Sequence, residues 1–491
     1  MIEAARSFHH ALRLDPTLAM AWLGLVRAHL FLEDLPSARA ALDSARAVGT
    51  TDERTRSRIE IVERQLASRD DPRDATKLDA FRKAIDAALA HDLGNPELWL
   101  LRGNASEERG AAGVEQDGGA ASIAFYQQAL RLSPDHFGAH HYLVHSYESI
   151  GMTDSALVHG ERYARLVPAI SHAQHMWAHD LMRVGRLHDA IRLFERADSI
   201  ERAYYAAEQI DPSYDWHRPH NLELLAILYL HQGRVRDAER LLREVRALKP
   251  LSEGAFIFFQ RTLPEFLILR GRAAEAMATT SALAAHPAPP ARFVAHLLRG
   301  GVRVAQGRTD SARAELAAAE RELEGLDPLM TSLFGPQLDG LRGAVALRGG
   351  KRTEGVALLR SAVQQSAMFP GPDGWIEGLL RTESLAGFAR AAGDWVLAEE
   401  LAQGLVRHAP TYAGGHYALG LALERRGDRA GARAAFTRAA ELWQDADADL
   451  PEVREVRRRI GSETAARQPE GAAAARGEWN PAMSGPGPVL R

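Results

Sequence analysis

A pattern that returns about every 34 residues constrains this 491-residue chain more than any other feature of its sequence. Between Tyr412 and Trp443, the residues His416, Leu419, Gly420, Leu423, Gly427, Ala432, Phe436 and Ala439 follow one another at fixed offsets. The same offsets recur at Trp22, Leu25, Ala38, Leu42 and Ala45, and at Leu143, Tyr147, Gly151, Ala156, Tyr163 and Pro168. They recur again at Gly185, Ala190 and Phe194, and at Gly233, Ala238, Leu242 and Pro250. Each unit reads as a helix, a tight turn at the glycine, a second helix and then a proline. One helical pair cannot bury its own apolar stripe, so successive pairs must stack. The expected fold is an all-α solenoid.

The pattern resembles the tetratricopeptide repeat. That resemblance implies a right-handed α-solenoid of helix-turn-helix units, with positions 2, 5, 9 and 12 of each first helix lining the concave surface. The physics agrees: Ala156, Ala190, Ala238 and Ala432 let paired helices approach, while Leu143, Phe194 and Phe436 fill the space between them. Residues 1–134 read as N-terminal repeats, 135–250 as central repeats, 251–445 as C-terminal repeats, and 446–491 as an end helix and tail. The first repeat is incomplete, because Ala4, Phe8, Ala11 and Pro16 match only a second helix. A segment upstream, with or without a signal peptide, is therefore expected, and compartment stays open between cytoplasm and an exported location. Residues 51–92 are helical by pattern but fit the template poorly. Gly110 to Gly119 reads as a flexible insertion, and Ala203 to Arg218 as a longer one with two alternatives, a lid or a loose connector. Pro451 to Ile460 reads as a solvating end helix, and the Ala/Gly/Pro/Arg-rich tail from Ser462 as disordered.

Composition narrows the chemistry. There are no cysteines, which excludes disulfides, iron–sulfur clusters and thiolate metal sites. The net charge of -4 is spread along the chain with no basic stripe, so nucleic acid is not an expected partner. No apolar run is long enough to span a membrane. Phosphate loops, His-Glu-x-x-His and Gly-x-Ser-x-Gly are all missing.

Histidine is the exception to this plain scaffold. Twelve of the 20 histidines lie between His136 and His231. Counting from the turn glycine as position 15, His141, His145 and Glu148 take positions 5, 9 and 12 of one first helix. His172, His175 and His179 take positions 2, 5 and 9 of the next, and His220 and Glu223 positions 2 and 5 of the third. All eight are thus expected on one concave wall. Imidazoles and carboxylates at helical spacing are the ligand types and geometry that zinc, iron, copper or manganese take. Six imidazoles exceed one four-coordinate site, which leaves a two-metal centre or a histidine-rich surround as alternatives. His136, His140, His159 and His188 fall off the concave positions and are expected to be structural. Trp177 and Met176 read as core, with Met176 as a soft copper ligand the lesser alternative. Arg261 and Glu265 continue the concave face, either as an ion pair or as contacts for a charged ligand.

The two histidine segments also resemble a bacterial group of tetratricopeptide proteins with His-Tyr-x-x-His-x-x-Glu in one repeat and His-Met-x-x-His in the next. Here the matches are His141-Tyr142, His145, Glu148, His175-Met176 and His179, followed by His220-Asn221. The resemblance carries no assigned activity. Three readings follow: a transition-metal pocket in which His141, His145, His175 and His179 are the ligands and Glu148, His172, His220 and Glu223 further ligands or proton-handling groups, with or without metal-assisted chemistry; a non-catalytic scaffold for a protein or peptide partner; and a metal-free groove binding a small anionic or peptidic ligand through protonated histidines.

Overall fold

The computed structural model describes residues 2–32, 34–71, 74–107, 119–249, 253–324, 326, 328–367 and 374–465. Among them every element is a helix. Helix α1 (Ile2–Leu14) precedes a series of antiparallel hairpins. The first three are α2 (Ala19–Phe31) with α3 (Leu35–Val48), α4 (Glu53–Asp70) with α5 (Ala75–His91), and α6 (Pro96–Glu107) with α7 (Ala120–Leu132). The central three are α8 (Phe137–Ser149) with α9 (Thr153–Leu166), α10 (Ser171–Arg183) with α11 (Leu187–Glu208), and α12 (His217–His231) with α13 (Val235–Ala247). Then come α14 (Glu253–Leu269) with the broken pair α15 (Ala273–Thr279) and α16 (Ser281–Ala285), and α17 (Pro289–Ala305) with α18 (Thr309–Glu324). The series ends with α19 (Pro328–Arg348) and α20 (Arg352–Ala367), α21 (Gly374–Ala391) and α22 (Trp395–His408), α23 (Ala413–Arg425) and α24 (Arg429–Leu442), and a last helix, α25 (Pro451–Ala465). This is the all-α solenoid of stacked helix-turn-helix units that the repeat predicts.

The local causes are the expected ones. The turn glycines Gly151, Gly185, Gly233 and Gly427 have φ of 76°, 78°, 75° and 89°, a left-handed conformation that ends each first helix where a β-carbon would clash. Ala156, Ala190 and Ala238 are completely buried, and Phe194 and Leu143 fill the hairpin interiors beside them. Asp34, Asp394 and Asp428 cap second helices by accepting the backbone N–H three residues on.

Three features depart from the sequence reading. The segment from Ala203 is not a separate loop: α11 runs on to Glu208, the chain turns at a left-handed Gln209 and a short 3-10 turn, and α12 starts at His217. Ala203 to Glu208 holds good helix formers and no glycine or proline, so nothing stops the helix earlier. Helix α25 is more than a solvating cap. Its Val453 and Val456 are buried, and Glu452 grips Arg270, just past the end of α14, through two bonds of 2.6 and 3.0 Å. The C-terminal repeats curl back onto the middle of the chain. Thr411 packs 3.1 Å from the β-position of Gly185, Ala446 2.6 Å from that of Gly233, and the Asp447 N–H donates to the Gly233 carbonyl. The insertion at Gly110–Gly119 and the end of the tail fall almost wholly outside the described residues.

At the other end the chain closes over the histidines. Arg27 of α2 donates to the Tyr142 hydroxyl at 2.9 Å, and Arg6 of α1 bonds Glu208 at 2.5 Å. On the wall of α8, α10 and α12, His145, His175, His179 and His220 are buried, while His141 and His172 are half-buried.

A candidate metal centre

The eight concave residues fall on α8, α10 and α12, three consecutive first helices, as the repeat register requires. Three of them converge. Nε2 of His141 lies 3.1 Å from Nε2 of His145 and 2.9 Å from Nε2 of His172, and one nitrogen from each of the three rings falls within 4.8 Å of the others. His141 and His145 meet because residues four apart share a helix face; His172 arrives from the neighbouring helix. A neutral imidazole nitrogen carries one proton or one lone pair, so His141 Nε2 cannot serve both neighbours well. A tetrahedral metal with bonds of about 2.0–2.1 Å holds its ligand nitrogens roughly 3.3–3.4 Å apart, close to the spacing seen here.

The electrostatics favour the ligand form. Burial holds the pKa of His141 well below the ordinary imidazole value, helped by His145 and by the Arg27 guanidinium. Burial, then the surrounding histidines, does the same for His172 and His175. Neutral rings keep the lone pair a metal needs. The outer hydrogen bonds are incompletely built: Nδ1 of His172 and of His145 are buried without a partner, and Glu148 Oε2 stands 4.0 Å from the latter.

The other five candidates surround this triad without joining it. His179 Nδ1 bonds Glu148 Oε1 at 2.7 Å, and Arg183 approaches the same oxygen at 3.5 Å. Burial raises the Glu148 pKa, but its contacts with His179 and Arg183 outweigh it and leave the carboxyl below its usual range. Next to it Asp180 is fully buried, seated against Gly160, where a β-carbon would stand 2.3 Å from its carboxylate oxygen. Burial and the Glu148 charge push the Asp180 pKa well up. His175 Nδ1 meets Asn221 Oδ1 at 3.1 Å. His220 packs beside His175 with ring centroids 5.0 Å apart and under the indole of Trp216. Glu223 turns away to accept from the Thr262 hydroxyl.

His217 joins the site although the concave register leaves it out. Its ring centroid is 4.7 Å from those of both His172 and His175, and its Nε2 is buried without a partner. Nδ1 bonds Glu201 Oε1 at 2.6 Å. Burial opposes a charge on His217, yet Glu201 outweighs it and holds the pKa above the ordinary value. Arg218, itself buried, ties this corner together through Asp198 at 2.8 Å and Glu244 at 2.5 Å. His217 lies before position 1 of its repeat, so the concave register overlooks it; the signal was its place at the end of the insertion.

The histidines set aside, His136, His140, His159 and His188, lie outside the converging triad. His136 caps α8 and pairs with Glu97 at 3.1 Å; His140 and His159 meet at 2.8 Å, off the concave wall. His188 is exposed at the surface and contacts Gln232. Met176 is core and Trp177 packs at the core's edge.

No family model matches the chain, and no curated protein does. Among solved structures, the human IFIT1 dimer with m7Gppp-AAAA aligns over 87% of this chain and 90% of its own, at 14% identity and a TM-score of 0.44. The human IFIT1 dimer with PPP-AAAA covers 86% and 90%, at 13% identity and 0.43. Yeast Tom70 covers 83% and 98%, at 11% identity and 0.33. Likeness at this level says nothing about ligand or activity.

Proposed function

We propose that this protein is a helical-repeat solenoid that binds a transition metal through His141, His145 and His172. The observation that carries the reading is the convergence of three imidazole nitrogens, drawn from two adjacent repeats, with His145 buried and His141 and His172 half-buried. The bacterial group with matching His-Tyr and His-Met segments is the finer assignment this reading favours. The donor set is nitrogen alone, compatible with zinc, iron, copper or manganese. Three protein ligands leave room for one more, and a metal so held supplies Lewis acidity to whatever occupies that position. His175, His217 and the Glu148–His179 pair line the surrounding wall, where they orient a bound molecule and exclude water. Groove binding through protonated histidines is disfavoured, because burial keeps His141, His172 and His175 neutral.

Elemental analysis of protein purified without a metal-affinity tag tests this. About one transition metal per chain is expected, retained on dialysis and lost when His141 and His172 are both changed to Ala. Protein that carries no metal, and gains none from zinc, iron, copper or manganese, overturns the proposal and leaves the scaffold reading.

A further inference from the structure

A second trio of imidazoles stands beside the first and shares one ring with it. The ring centroids of His172 and His217 lie 4.7 Å apart, those of His175 and His217 4.7 Å, and those of His172 and His175 5.7 Å. The corresponding separations among His141, His145 and His172 are 4.8, 4.8 and 6.4 Å, so the second trio is the more compact by its ring centres. Two of its members come from α10. The third opens α12, where the long α11 and the turn after it deliver His217 to this wall.

Hydrogen bonds decide which nitrogen of each ring can take a ligand. The Asn221 amide donates through Nδ2 to the Phe194 carbonyl at 3.2 Å, so its Oδ1 is the acceptor that faces His175. His175 therefore holds its proton on Nδ1 and its lone pair on Nε2. A carboxylate only accepts, so His217 keeps a proton on Nδ1 for Glu201 Oε1 at 2.6 Å. Its ligating nitrogen is Nε2, which is buried without a hydrogen-bond partner. A carboxylate behind a histidine is a recurrent way to orient a metal ligand and make it more basic. The buried Arg218 guanidinium is matched by Asp198 and Glu244 and stands 3.8 Å from Glu201, which leaves the Glu201 charge to His217. His172 is used on one side only. Once its Nε2 binds the first ion, its proton lies on Nδ1, buried with no acceptor. A buried donor left unbonded is costly, and a second ion in the proton's place removes that cost.

We propose that a second transition-metal ion binds between His172 Nδ1, His175 Nε2 and His217 Nε2, with His172 bridging the two ions as an imidazolate. This rests on the metal-binding reading above. As the second ion enters, His172 loses its Nδ1 proton to solvent, and His175 and His217 ligate through Nε2 without a proton there. Among the described residues only the first trio has its nitrogens gathered within 4.8 Å, so the second ion binds after the first and more weakly. Dialysed protein keeps one ion, and the second enters when metal is added.

Equilibrium dialysis of the full chain against excess zinc or copper(II) at about pH 8, where ligand protons are readily lost, counts the ions by elemental analysis. Two per chain are expected in the wild type with either metal, and one in His175→Gln and in His217→Gln. At most one ion per chain with both metals overturns the proposal. If that ion is lost in His145→Ala and kept in His217→Gln, the first site stands alone. Two ions that survive in either folded Gln variant also overturn the second site. No bound ion of either metal overturns it too, and the reading beneath it falls as well if iron and manganese are refused. Thermal melts followed by circular dichroism show which variants fold. If neither does, electron paramagnetic resonance of the copper-loaded wild type at liquid-helium temperature carries the test. An imidazolate bridge couples the two copper spins antiferromagnetically, so far fewer spins than coppers are expected; a spin count equal to the copper bound overturns the bridge.

Discussion

The same positions of the same repeat do opposite things in the two halves of this molecule. In α8 and α10, positions 5 and 9 carry His141, His145, His175 and His179, and the wall is polar, crowded and buried. In α17 those positions carry Leu297 and Gly301, position 5 of α19 is Gly340, and the wall is apolar and hollow. The scaffold decides where a side chain points; the residue placed there decides what the surface recognises. Closure matters as much as composition. At the histidine wall Arg27 of α2 reaches Tyr142, and burial together with the Arg27 charge holds the His141 pKa down. The later cleft, lined by both Glu265 and Arg381, keeps an opening to solvent.

The largest expected effect breaks the comparison at its polar end. His172→Ala removes the ligand that joins the two repeats, and should cut metal affinity by up to ~1,000-fold if a structural site's 10–16 kcal/mol is shared among about four ligands. Competition with a chromophoric chelator measures it, and Gly301→Leu should leave the value unchanged. Next comes the corner that seats His217. Arg218 is buried with Asp198 and Glu244, and Arg218→Ala strands those carboxylates, which should cost about 3 kcal/mol or more in chemical denaturation. A fall of under ~1 kcal/mol would mean that the network relaxes into water.

A third prediction concerns the seam where the C-terminal repeats return. His231 is buried with both ring nitrogens lacking partners, against Tyr412 at 4.8 Å and Trp375 at 6.1 Å. Burial lowers its pKa to about 3 in the folded chain, against ~6.5 when unfolded. Stability from this group is complete above about pH 6.5 and falls as pH drops towards 3, by up to ~1.4 kcal/mol per pH unit, because only the unfolded chain takes the proton. His231→Phe should therefore flatten the acid side of the stability profile and raise stability at neutral pH by ~1–3 kcal/mol. An unchanged acid limb would place its cause elsewhere. The smallest effect is at His217: Glu201→Gln should move its pKa downward in an NMR titration of metal-free protein, since the carboxylate holds it up.

The repeat made much of this legible. The turn glycines, the buried alanines of the second helices and the concave register of all eight candidates follow from offsets to Gly151, Gly185 and Gly233. Which three candidates converge did not follow, because that depends on ring rotamers and on the approach of α10 to α8. Glu223 has a concave position and yet bonds Thr262, since the next repeat offers a hydroxyl within reach. His217 was hidden by an insertion that continues a helix, and the return of α25 to Arg270 joins residues 182 apart that no local pattern connects.

X-ray absorption spectroscopy of the metal-loaded chain tests the central claim most directly. The account predicts imidazole scattering from three nitrogens at about 2.0–2.1 Å, falling to two in His172→Ala. A shell of oxygen alone, or a spectrum that His172→Ala leaves unchanged, would contradict it.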